Sequence, residues 1–288
     1  MPRIALVTDS NAQLPPVLAE RFGVSIVALT VTIDGQLFRE GIDLDADGFF
    51  SRFQPGTTVT TSQPSPGEFL RVYADCAAAG ATELVSIHLG SAVSGTCNSA
   101  RLAAAEIDLP VTIVDTGTAS FAVACCVWEA GLALERGASA AEAAAVAQSV
   151  AATCANVFVV KALDLVRRGG RLGAVGHADA GAGSSHATGA TGVPVLSLVG
   201  GVMESIGSVR DFSEAATAMA DHIIASGRGL RVGVGVADTK AAPLWLALEE
   251  RLRTSDNVID IVRYRIGPSV AAHTGPGTAG ACWYPTLP

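Results

Sequence analysis

The sequence predicts an α/β fold built as two α/β domains, and three observations carry that prediction. Aliphatic runs of strand length alternate with helical patterns through the first half of the chain, the signature of a parallel sheet covered by helices. Two helices in that half open on capping boxes. Beyond about Asn156 the order shifts to strands, two of them joined by a hairpin signal. We therefore divide the chain into an N-terminal domain, 1–155, with a mainly parallel, Rossmann-like sheet and a C-terminal domain, 156–288, with a mixed sheet. A length of 288 residues supports two cores of ordinary size.

In order along the chain, Ile4–Thr8 reads as the first buried strand, followed by the Asp9-Ser10-Asn11 turn. A helix near Pro15–Phe22 is closed by Gly23. Val24–Thr32, the Asp34-Gly35 turn and Gln36–Arg39 read as a hairpin, because Asp-Gly favours the tight turn. Asp45 can cap a short helix bearing Phe49, Phe50 and Phe53. Ser65-Pro66-Gly67-Glu68 is a capping box with proline at the first helical position, and Phe69, Val72, Tyr73 and Cys76 follow on one face. Glu83–His88 and Val111–Val114 are continuous apolar runs, as expected of strands buried on both sides. Ser139–Glu142 is the second capping box and opens an alanine-rich helix toward Cys154.

In the second half, Val157–Lys161, Val193–Leu198, Met203–Val209, Leu230–Ala237 and Val258–Arg265 read as strands. Helices are expected at Ser213–Ser226 and Lys240–Thr254. Gly200-Gly201 marks the hairpin that makes this sheet mixed. The stretch Gly173–Gly192, dominated by Gly, Ala, Ser and Thr, reads as a mobile surface loop or lid.

Composition narrows the function. Charged residues make up only 16% of the chain and apolar ones 49%, which excludes a disordered chain. A net charge of −8 offers nothing to offset approach to nucleic-acid phosphates. The most apolar stretch, Phe121–Leu134, is interrupted by Glu129 and is too short for a bilayer span of about 20 residues. The opening ten residues reach Asp9 without the apolar region of an export signal. Six cysteines without a CxxC pair then read as reduced thiols acting as small hydrophobes, and the expected compartment is the cytoplasm. His88, His177, His186, His222 and His273 lack metal-ligand spacing, so no metal or cofactor is expected. A monomer is the simplest state.

Three polar segments stand where strands are expected to end: Thr60–Ser65, Ser91–Thr96 and His273–Gly277. Ligands of open parallel sheets collect outside the strand C-terminal ends, and helix N-termini there offer unpaired N–H groups to an anion. Gly95 permits close backbone approach, while Thr61 and Ser94 supply hydroxyl donors. Plainer roles stand beside these. Ser65 and Ser94 can cap helices, Thr61 and Asp9 can form turns, and Arg171 and Arg210 can be solvated surface charges.

The same segments resemble the DegV family, whose members bind fatty acids. The matching words are VTDSNAQLP at Val7–Pro15, TTSQPSPGEF at Thr60–Phe69 and SIHLGSAVSGTCNSA at Ser86–Ala100. Further words are IVDTGTAS at Ile113–Ser120, LVRRGGRL at Leu165–Leu172 and IGPSVAAHTGPG at Ile266–Gly277. The resemblance implies a two-domain protein that holds one long-chain fatty acid in an interdomain cleft or tunnel and presents its carboxylate to a fatty-acid kinase. Carried over by motif, Thr61, Ser94 and His273 would bind the carboxylate, with Ser62, Gly95 and Thr274 beside them in the same words. Arg171 and Arg210 would be the basic positions near the cleft mouth. The chain departs from the family pattern at Gly90-Ser91, where two serines are usual, at Val193 in place of a lysine, and in the long glycine-rich segment 173–192.

The physical chemistry permits such a ligand. Burial of an acyl chain yields about 0.8 kcal/mol per methylene, on the order of 10 kcal/mol for about 16 carbons before the costs of binding. Two hydroxyls, a histidine and helix-end N–H groups can hold the head group without a full salt bridge. The competing reading is an acyl-ester hydrolase with Ser94 as nucleophile, His273 as base and Asp9 or Asp115 as orienter. Ser94 lacks the GxSxG elbow of that chemistry, and neither a Walker lysine nor GxGxxG follows the first strand.

Overall fold

The computed structural model of the chain describes residues 3–54, 56–161, 192–199 and 202–286. It divides into two compact units, Met1–Cys154 with Gly267–Val270, and Ala155–Ile266 with Ala271–Pro288. The contiguous division expected from sequence contains no such return. Residues 267–270 join the first unit because Gly267 and Ser269 are hydrogen-bonded to Gln13, Asn11 and Glu40.

The first unit is built on a parallel sheet in the order β2-β1-β6-β7, comprising β1 (Ile4–Asp9), β2 (Ser25–Val27), β6 (Glu83–His88) and β7 (Val111–Asp115). A second, antiparallel sheet, β4-β3-β5, contains β3 (Thr30–Ile33), β4 (Gln36–Arg39) and β5 (Val59–Ser62). The expected single strand Val24–Thr32 is thus two strands in two sheets. Between them, the Leu29 N–H leaves the ladder and donates to Ser10 Oγ at 2.9 Å. The hairpin turn forms at Asp34-Gly35, both in the left-handed region at φ 48° and 83°, as a tight two-residue turn requires.

Helices of this unit are α1 (Pro16–Phe22), α2 (Ala46–Arg52), α3 (Pro66–Ala78), α4 (Thr96–Ala104), α5 (Phe121–Glu135) and α6 (Ala140–Thr153). Both capping boxes form as read, Ser65 with Glu68 and Ser139 with Glu142. One core packs Phe69, Tyr73 and Cys76 of α3 and Ala100 and Ala103 of α4 against Val7 and Leu84 of the sheet. The helix α5 is buried over nearly its whole circumference, including Cys125 and Cys126. Its Gly131 leaves room for the Phe22 ring, which a Cβ there would strike at 2.5 Å.

The second unit holds one six-stranded sheet in the order β10-β9-β8-β13-β11-β12. Its strands are β8 (Ala155–Val159), β9 (Val193–Val199), β10 (Val202–Val209), β11 (Leu230–Val236), β12 (Val258–Arg265) and β13 (Ala279–Pro285). It is mixed, since β11 and β12 run parallel and the other neighbours antiparallel. The turn residues 200–201 lie outside the described residues, but the strands flanking them pair antiparallel with Val199 opposite Val202. Helices α7 (Phe212–Ala225) and α8 (Ala242–Arg253) pack Met219, Ile223, Leu248 and Leu252 into a core with Val232, Val234 and Trp283. A last helix, α9 (Pro268–Thr274), begins in residues of the first unit and ends in residues of the second.

Candidate functional site

Alternation along β1 and β6 decides what lies beneath α3. Val7 is paired with Ser86, so Asp9 and His88, two residues further on, share that face. All three polar side chains there are fully buried. His88 Nδ1 lies 2.9 Å from Asp9 Oδ2, and His88 Nε2 lies 2.6 Å from Ser86 Oγ. Ser86 Oγ is 2.9 Å from the Tyr73 hydroxyl, which descends from α3. With Nδ1–H donating to Asp9, the chain is satisfied when Ser86 donates to Nε2 and Tyr73 donates to Ser86. Burial pushes the Tyr73 hydroxyl up to about 12, so it keeps the proton this role needs. The Phe69 ring meets the imidazole edge-on at 5.0 Å.

This buried chain supports the loop that follows β6. Asp9 Oδ2 also accepts the Leu89 N–H at 3.1 Å, and Oδ1 accepts that of Asn11 at 3.1 Å. The Cys97 thiol donates to Leu89 O at 3.5 Å, and burial pushes that thiol up to about 12, leaving it inert. Gly90 has no room for a side chain, because a Cβ would lie 2.5 Å from the carbonyl carbon of Gly117. The loop then delivers Ser94 and Gly95 to the start of α4.

Ser94 is half-buried; its hydroxyl lies 2.8 Å from Thr96 Oγ1 and accepts the Thr96 N–H at 3.3 Å. It therefore serves the first turn of α4, while Gly95 is the N-cap. A Cβ at Gly95 would lie 2.9 Å from Gln63 Nε2. The TSQPS and SGT words are thus in contact through Gln63 and Gly95. Thr61 is half-buried on β5 opposite Val31, and Ser62 ends that strand exposed. The Thr60–Ser65 segment accordingly runs from an antiparallel strand rather than from the end of the parallel sheet.

His273 stands half-buried in the last turn of α9, followed by buried Thr274. This third segment is therefore a helix end rather than a strand end. It is closed by Gly275 and Gly277, both in the left-handed region at φ 76° and 77°. Thr278 Oγ1 donates to Thr274 O at 3.0 Å, and the Gly277 N–H donates to Asp238 Oδ2 at 3.1 Å.

Arg210 is exposed and engaged locally: its Nε donates to Glu214 Oε1 at 2.6 Å, four residues on. Arg171 and nearly all of the Gly173–Gly192 segment, residues 162–191, lie outside the described residues. Asp115 accepts the N–H groups of Ser91 and Gly117 at 3.1 Å each. Burial works to raise its carboxyl, but those bonds and Arg101 hold it below the usual carboxylate range. Among the described residues, no three His, Cys, Asp or Glu side chains group as metal ligands, and no helix is long and apolar enough to cross a membrane.

The sequence alone assigns no role to Gln63, Glu40 or the His88 chain and places Asn11 only in a turn. The i, i+2 spacing of Ser86 and His88 on a strand placed them on one face, which was the available signal. Nothing in the sequence showed that Asp9 would be the adjacent partner.

With this geometry in place, comparison with known proteins fixes the lineage. The family model described as "Uncharacterised protein, DegV family" matches residues 3–286. A DegV domain-containing protein of Streptomyces coelicolor is 36% identical over 278 residues, 96% of each chain. A solved DegV family protein from Thermus thermophilus, described for its fatty acid binding, superposes with a TM-score of 0.88 at 34% identity, covering 99% of this chain and 100% of that one. A DegV lipid binding protein from Thermotoga maritima gives a TM-score of 0.85 at 26% identity, covering 98% of each. The chain belongs to the DegV family.

Proposed function

From membership of the DegV family, we propose that this chain is a non-catalytic carrier of one long-chain fatty acid. The observation that carries this reading is the likeness, over 99% of the chain, to the fatty-acid-binding protein of Thermus thermophilus. In this proposal Thr61, Ser94 and His273 take the carboxylate, with Ser62, Gly95 and Thr274 shaping its surroundings. The acyl tail occupies an apolar tunnel, and Arg171 and Arg210 serve the mouth of the site or a partner. That partner is a fatty-acid kinase that phosphorylates the presented carboxylate.

Two features support the head-group assignment. Gln63 against Gly95 joins the segments bearing Thr61 and Ser94 within one unit. The donors available there are neutral, which suits a carboxylate that must be held and then released to another protein. The hydrolase reading gains no orienter from the same geometry. Asp9 is committed to His88, Leu89 and Asn11, and Asp115 to Ser91 and Gly117.

Protein purified from a heterologous host is expected to carry fatty acid in about one-to-one ratio. Native mass spectrometry followed by solvent extraction reads it. Empty protein that takes up no added acid would overturn the proposal.

A further inference from the structure

Glu40 is a buried carboxylate, 5% exposed, that the proposed site does not use. It lies just after β4 and gathers donors from two segments far apart in sequence, 10–13 and 269. Its Oε2 accepts from Ser10 Oγ at 2.6 Å, and Ser10 in turn accepts the Leu29 N–H. Its Oε1 accepts the Ser269 N–H at 2.8 Å and Gln13 Nε2 at 3.5 Å. Gln13 also accepts the Gly267 N–H through Oε1, and Asn11 Nδ2 donates to Ser269 Oγ at 3.1 Å. No cation pairs with Glu40 among the described residues.

Two details show that this cluster is built for the segment it holds. Gln13 sits in the left-handed region at φ 56°, which aims its side chain between Glu40 and Gly267. Gly267 has no space for a methyl group: a Cβ would lie 2.7 Å from Glu40 Oε1 and 2.6 Å from Gln13 Oε1. Every bond of the clamp lies within the first unit, and Ser269 is the second residue of α9, whose last turn carries His273.

We propose that Glu40 is a positioning residue for His273, acting through α9: by holding Gly267 and Ser269 it fixes the start of the helix whose last turn carries His273. The requirement is for acceptor geometry. An amide can meet it, because its oxygen can take the Ser269 N–H while its nitrogen donates to Ser10 Oγ. The link to ligand binding rests on the fatty-acid reading above; the clamp itself does not.

The test compares Glu40→Ala with Glu40→Gln in the full chain, first without ligand and then with hexadecanoic acid. Glu40→Ala is expected to speed amide exchange across residues 269–274 by about tenfold, the size of one lost hydrogen bond, and to weaken hexadecanoic acid binding by a similar factor. Glu40→Gln is expected to hold both within about threefold. If Glu40→Ala does not fold, Asn11→Ala and Gly267→Ala carry the same expectation, the first by losing the Ser269 bond and the second by wedging the clamp. Unchanged exchange in the variants that fold, or damage from Glu40→Gln equal to that from Glu40→Ala, would overturn the proposal. A wild-type protein that shows the exchange effect but binds no hexadecanoic acid would overturn the fatty-acid reading and leave the clamp standing.

Discussion

Asp9 and Glu40 are both carboxylates closed off from water in the first unit, yet they are accommodated in different ways. Asp9 meets an imidazole and two backbone N–H groups, and its chain of bonds ends at a phenol that only has to donate. Glu40 meets a hydroxyl, a carboxamide and one backbone N–H, all neutral. Burial pushes the Glu40 carboxyl above its ordinary value, and the bonds from Ser10, Ser269 and Gln13 offset only part of that rise. Its charged neighbours in sequence, Arg39 and Asp43, pair with each other at the surface at 2.8 Å. The difference shows that burial alone does not define a carboxylate's role. One group holds the body of a domain together, while the other accepts an electrostatic cost at the start of a helix bearing a candidate ligand residue.

The largest expected effect separates the two groups by stability. Asp9→Ala strands His88 Nδ1 and the Leu89 N–H in a sealed core, and should cost about 3–5 kcal/mol by urea unfolding. Tyr73→Phe removes only the terminal donor and should cost about 1 kcal/mol. If the two variants lose equal stability, the chain is not organised around Asp9.

A smaller effect sharpens the comparison through pH. The folded chain holds the Glu40 proton more tightly than the unfolded chain does, since its value is raised from 4.5. Its contribution to stability is therefore complete below that ordinary value and is lost as pH rises through the raised one. Wild type should accordingly lose stability relative to Glu40→Gln as pH rises above 4.5, read from urea midpoints at a series of pH values. A difference that stays constant, or grows in the opposite sense, would mean that the carboxylate is not held at a cost.

The sequence made the frame of this molecule legible where local chemistry dictates it. Ser65-Glu68 and Ser139-Glu142 are self-contained helix starts, Asp34-Gly35 is a self-contained turn, and the β6 run needs burial on both faces whatever its neighbours. Features that depend on distant partners were not legible. The division of Val24–Thr32 between two sheets is marked by a bond to a distant partner, the Leu29 N–H donating to Ser10 Oγ. The strand β13 was not legible either: its second residue is Gly280, and only glycine fits there because Val157 and Phe158 of the adjacent β8 leave no room for a Cβ. The site shows the same split. Ser94 and Gly95 could be placed after β6 from local pattern, whereas the contact of Gln63 with Gly95 and the return of residues 267–270 are long-range events. Arg210 read as a basic position, and in the fold it is bonded to Glu214 on the following helix.

The central claim is that neutral donors on Thr61 and Ser94 recognise a fatty-acid carboxylate. The most direct measurement titrates delipidated protein with hexadecanoic acid and with its methyl ester, in wild type and in the Thr61→Ala, Ser94→Ala double variant. The account predicts that wild type prefers the acid by at least about tenfold and that the double variant loses this preference while unfolding at nearly the same urea concentration. Equal affinity for acid and ester in wild type, or an undiminished preference in the double variant, would contradict it.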